Sequence, residues 1–379
     1  MSITHIKRGY FPQGLAEYGE LRHMILVYSR QPRDWSPEDF RFSVTHLDQK
    51  GEPDDWFFDS FLFMPSAPPS RNSFYPGMNL GTTRSGKGDY FIVPTSNPAR
   101  KEDWEWLMSN YFGKSTMLGG LDRYVEKAEA NLGPKGRKVN VVITIPYPCH
   151  NQISFGKINE RGKQLNFSTL KQDLVAATQQ RLDAVKWFVE QGIKKAKMCD
   201  YRHINFLGFY WYYETIHRSF DVDDHWLLKE LLKFVRAKNT HLFWIPFFST
   251  YNIHQLGNYE EYYFDCAFLQ PNHLQYKALP NSVEEAAKAA QANHAGIEME
   301  FDKSVQDEMY RSRFRDYLNG GVKFGFMKEA ACAWYDGGRG PQWLYEHSNP
   351  RVRELYEDIY HFVKGTYQRA VGRGLGAQT

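Results

Sequence analysis

Short apolar runs of strand length recur along the chain, and from the third onward they alternate with stretches of helical spacing. The runs are MILVYS at 24–29, WFFDSFLFM at 56–64, KVNVVITIPY at 138–147, NFLGFYWYY at 205–213, HLFWIPFF at 241–248, YFDCAFL at 263–269, GIEMEF at 296–301 and VKFGFM at 322–327. Nearly continuous apolar runs of this length are the pattern of parallel strands buried on both faces. Between them, Leu174, Leu182, Val185, Phe188 and Val189 keep to one side of a helix predicted over 170–196. Further helices are predicted over 102–132, 226–237, 283–293, 306–318 and 350–369.

Eight strands alternating with helices predict parallel pairing through right-handed crossovers, and eight units favour a closed (β/α)8 TIM barrel of the α/β class. An open doubly wound sheet competes, but no strand leads into GxGxxG or a P-loop. Over 65–98, Pro, Ser, Gly, Asn and Arg replace the periodicity. We read 65–100 as an irregular excursion after the second strand rather than a linker, and 1–379 as one barrel.

The 379 residues suit a barrel with insertions. Aromatic residues make up 16% of the chain, enough to fill a large core and to leave rings for stacking on sugar faces. Net charge is +3 without a basic block, which argues against nucleic acid. The 4 Cys show neither a metal spacing nor a disulfide framework. No apolar run approaches the ~20 residues that span a bilayer. No apolar leader precedes Tyr10 either, so the sequence reads as cytoplasmic if residue 1 is the native start. A chain whose signal peptide had been removed, and which worked outside the cytoplasm or in the periplasm, would read the same.

In such a barrel, chemistry gathers where strands end. Glu214 follows FYWYY, surroundings apolar enough to keep a carboxyl protonated as a general acid. Glu298 and Glu300 lie two apart, so one strand aims both the same way, with Glu300 nearer the mouth. Two strands delivering carboxylates to one place supply an acid/base or acid/nucleophile pair for a glycosidic bond. Arg30, His150, Asn252, Gln270, Asn272 and Tyr335 are expected to contact substrate. Trp211, Tyr213, Tyr251 and Trp334 are expected as sugar platforms or as core. Asp59, inside FFDSF, reads as a capped structural acid or as a partner for Arg30.

The segments VYSR at 27–30, FDSFLF at 58–63, GFYWYYE at 208–214 and GIEME at 296–300 resemble, in that order, the domain of unknown function family 4855 over about residues 20–370. The layout is also similar to the clan of retaining glycoside hydrolases built on (β/α)8 barrels. That resemblance implies Glu214 as acid/base, Glu300 or Glu298 as nucleophile, a carbohydrate substrate and no cofactor. Many clan members carry Asn just before the acid/base, where this chain has Tyr213; Asn272 or Asn252 is the expected substitute. Two alternatives stand beside this reading: a non-catalytic carbohydrate-binding barrel, and a metal-dependent hydrolase using His150, His273, Glu298, Glu300 and Asp302.

Overall fold

The structure is a computed structural model that describes residues 9–28, 35–65, 67–75, 80–84, 90–94, 96–133, 135–248, 250, 253–275 and 278–368. Eight strands close into a barrel: β1 (His23–Tyr28), β2 (Ser60–Met64), β3 (Val139–Ile145), β4 (Ile204–Trp211), β5 (His241–Trp244), β6 (Cys266–Leu269), β7 (Gly296–Glu300) and β8 (Cys332–Tyr335). Neighbours in sequence are neighbours in the ring, all pairings are parallel, and β1 closes it against β8. The fold is therefore the (β/α)8 barrel that the alternation predicts.

Three expectations need correction. VKFGFM is not the eighth strand: Val322–Phe324 ends the helix Glu308–Phe324, Gly325 (φ 88) caps it, and Phe326–Glu329 forms a further turn of helix. The true β8, CAWY, is easy to miss because small residues, Ala331 and Ala333, face the lumen there. WFFDSFLFM is not one strand either. Pro53–Trp56 pairs antiparallel with Thr45–Leu47, and the barrel strand starts only at Ser60. At the break, Asp59 accepts the backbone N–H groups of Arg22 and His23, each at 3.1 Å, which is the structural role. Finally, the excursion after β2 contains two paired strands, Leu80–Arg84 and Tyr90–Pro94.

Strand alternation sorts the core into two layers. Outward residues such as Ile25, Phe63, Ile143, Trp211, Trp244, Met299 and Trp334 pack against the helices. Inward residues such as Leu26, Met64, Val142, Phe243, Phe268 and Ala333 fill the lumen. Phe11, Tyr18 and Leu21 pack into this inner cluster and plug the N-terminal end, held by Phe11 N–H to Ala295 O (3.1 Å) and Ala331 N–H to Phe11 O (2.9 Å).

One strand breaks its own alternation. On β4, Leu207 and Tyr210 both face the lumen, three residues apart instead of two. The pairing with β3 skips Leu207, running Val141 to Phe206 and then Val142 to Gly208, which marks a bulge. Gly208 sits at φ 150, and a Cβ there would lie 2.1 Å from the His241 carbonyl oxygen. Only glycine fits. The bulge moves Tyr210, Tyr212 and Glu214 onto the lumen phase and sends Phe209 and Trp211 outward. Gly208→Ala is expected to destabilise the fold by about 1–3 kcal/mol in backbone strain alone. Chemical denaturation checks this; an unchanged midpoint would mean that the bulge is not rigidly specified.

Candidate active site at the barrel mouth

The inward residues at the strand ends line a cleft of about 720 Å³. Four of the lining residues are acids: Glu214, Glu298, Glu300 and Asp302. Six are tyrosines, which bring apolar faces and phenolic hydroxyls into the same space. Tyr75 meets Tyr212 edge to face at 5.2 Å, and Tyr28 meets Tyr335 likewise at 5.8 Å. None of the described lining residues is Lys, Arg or His.

The three glutamates are held differently. Glu300 is anchored on one oxygen: Oε2 accepts the backbone N–H of Asn272 at 2.7 Å and the hydroxyl of Tyr317. Asn272 reaches it from a left-handed conformation (φ 52) that Asn tolerates better than most residues. Tyr317 lies in the helix Glu308–Phe324, and its hydroxyl accepts the N–H of His273 at 2.8 Å. Burial pushes the Glu300 carboxyl up to about 7, with the Glu214 charge adding to the rise and the Tyr317 and Asn272 donors opposing it. Glu214 has a looser grip, one hydrogen bond from Gln270 Nε2 at 3.4 Å, and burial raises its pKa against that bond. Glu298, one pleat deeper on β7, is 3% exposed. No described residue donates a hydrogen bond to it. Burial, then the Glu300 and Glu214 charges, push its carboxyl well above the ordinary range.

Residues 23–361 match the family described as Domain of unknown function (DUF4855). The chain belongs to this family. A search of the curated proteins finds no match. Among solved structures, the chain is similar to variant tryptophan synthase alpha-subunits from the hyperthermophile Pyrococcus furiosus. One has 9% identity and TM-score 0.39, with 94% of this chain and 99% of that chain covered. A second has 9% identity and TM-score 0.40 over the same shares. The barrel stands on its own strand pairings, not on these likenesses.

The DUF4855 barrel brings together Glu214, Glu298, Glu300, Gln270, Asn272 and Tyr335, all expected from the sequence. It does not bring Trp211 or Trp334 to the mouth. Both are fully buried in the outer layer, Trp211 because of the bulge and Trp334 because it is out of phase with Tyr335, so of the two expected readings, platform or core, both are core. Tyr213 is not among the lining residues and packs behind Tyr75 (5.8 Å) and against Tyr147 (5.1 Å). His150 stands outside the lining, 3.7 Å from Asp221. Arg30, Tyr251 and Asn252 lie outside the described residues. His273 is spent behind the site on Ser282 (2.8 Å) and Asp316 (3.1 Å). Among the described residues, no group of three His, Cys, Asp or Glu side chains could hold a metal, so the five ligands of the metal-dependent alternative do not assemble. No described helix is long and apolar enough to cross a membrane.

Sequence reasoning missed Tyr28, Tyr75, Tyr310 and Tyr317. Tyr28 was legible in principle, two residues beyond the inward Leu26. Tyr75 arrives from the aperiodic excursion and Tyr317 from mid-helix, where no local signal marks them.

A raised carboxyl pKa means that the fold binds the proton more tightly than the unfolded chain does, so Glu298 costs increasing stability as pH climbs above its unfolded value. Glu298→Gln is therefore expected to stabilise the protein by about 1–2 kcal/mol at pH 7. The gain should shrink toward zero near the unfolded carboxyl value, roughly pH 4. Thermal unfolding at both pH values checks this, and a loss at pH 7 would contradict it.

Proposed function

We propose that this barrel hydrolyses glycosidic bonds by a two-carboxylate, retaining mechanism. One observation carries the reading: β4 and β7 deliver Glu214 and Glu300 into one tyrosine-lined cleft, and their hydrogen bonding is unlike. Glu300 has both donors on Oε2, which leaves Oε1 without a described donor and holds the carboxylate in a fixed orientation. Glu214 is nearly undonated and buried, which suits a carboxyl that must arrive with its proton. The similarity in layout to clan members with acid/base and nucleophile on the fourth and seventh strands supports the same assignment.

In the first step, Glu300 Oε1 attacks the anomeric carbon while Glu214 gives its proton to the departing glycosidic oxygen. A covalent sugar ester forms and the aglycone leaves as an alcohol. In the second, the Glu214 carboxylate takes a proton from water as that water's oxygen attacks the anomeric carbon. The ester bond breaks, Glu300 is freed as carboxylate, and Glu214 is again protonated. Retention of this kind requires a carboxyl separation of roughly 5–5.5 Å.

Glu214→Gln and Glu300→Gln should each lower kcat by about 10²–10⁴-fold while oligosaccharide binding persists. NMR of the first product formed should show the substrate's own anomer. Turnover that survives both substitutions would refute the enzyme reading and leave a carbohydrate-binding barrel. Tyr317→Phe removes a donor that favours ionised Glu300. The acidic limb of the kcat/KM profile, near pH 7 for Glu300, should move to higher pH, and an unmoved limb would remove Glu300 from the nucleophile role.

A further inference from the structure

We infer that the sugar held in this cleft carries a free amine and that Glu298 is the residue that binds its ammonium group. The inference rests on the hydrolase reading for its chemistry, but its test does not depend on turnover.

The first observation is the charge of the cleft. The chain as a whole carries +3, yet the described lining of the cleft holds four acids and no cation. Crowded carboxyls in a low-dielectric space repel each other, and they repel a uronate or any other acidic sugar for the same reason. A neutral sugar can donate hydroxyls to them without cancelling any charge. An ammonium group donates and, once bound, favours the ionised form of carboxyls that burial otherwise keeps protonated.

The second observation is independent of the charge count. Glu298 is 3% exposed, lines the cleft, and receives no hydrogen bond from any described residue. The other two glutamates have protein donors, so Glu298 alone among the three has its hydrogen-bonding capacity unspent. Unpaired buried carboxyls are costly and are retained where a partner arrives from outside. Ser304, also in the lining, has a buried hydroxyl with no partner among the described residues. The tyrosine faces around these groups add cation–π attraction for an ammonium and none for a neutral amide.

The deciding experiment is calorimetric titration at low salt of Glu214→Gln protein with tetramers of glucosamine and of galactosamine, each compared with its N-acetylated counterpart. At least one free-amine tetramer is expected to bind roughly 30-fold or more tighter than its acetylated form. The preference should vanish when Glu298→Gln is added. Equal affinity, tighter binding of the acetylated tetramers, or no binding of any tetramer overturns the amino-sugar assignment. A preference that persists in the double variant overturns the role of Glu298. The ligand comparison with Glu298 intact decides the substrate class even if the double variant fails to fold. Failure here leaves the hydrolase reading untouched, since that reading is judged by the turnover of Glu214→Gln and Glu300→Gln.

Discussion

A strand has two faces, and in a closed barrel one of them is the lumen. That constraint organises everything in this molecule. The residues that fill the inner cluster, the residues that pack on helices and the residues that reach the cleft are all assigned by parity along eight strands. A shift of one position would exchange core and site. The protein uses this once, at Gly208, where the bulge on β4 reverses the parity of the last turn of strand. Without it, Trp211 would occupy the lumen and Glu214 would face the helices. The cleft therefore depends on a backbone conformation that one residue type permits, as much as on its own acids.

The second organising fact is that acids are gathered without counter-charges among the described residues. Such an arrangement opposes folding, because each carboxyl raises the cost of its neighbour's ionisation. What offsets it is the outer layer, where Trp211, Trp244 and Trp334 are buried completely. Destabilised acids near the mouth and a heavily aromatic shell behind them form one design, in which the shell supplies stability that the site spends.

The architecture was largely legible in the sequence, because buried parallel strands write themselves as apolar runs. Seven barrel strands coincide with predicted runs, and β7 shows the expected inward pair, Glu298 and Glu300. The misses have physical causes. The eighth strand is built from Cys and Ala, whose small side chains leave room in the lumen but give a weak hydrophobic signal, while VKFGFM is apolar for the sake of helix packing. The aromatic run before Glu214 left Trp211 open between platform and core, and the lone glycine inside it, Gly208, was the available sign of the bulge that sends Trp211 outward. Asn272 and Tyr317 hold Glu300 through a backbone N–H and a helix hydroxyl, contacts that no short-range spacing announces.

The side chains that fill the lumen, backed by Phe11, Tyr18 and Leu21, give the cleft a closed floor. Whatever enters and whatever departs must therefore pass the same face of the barrel. The closed floor imposes that one-sided access on any ligand that uses the mouth.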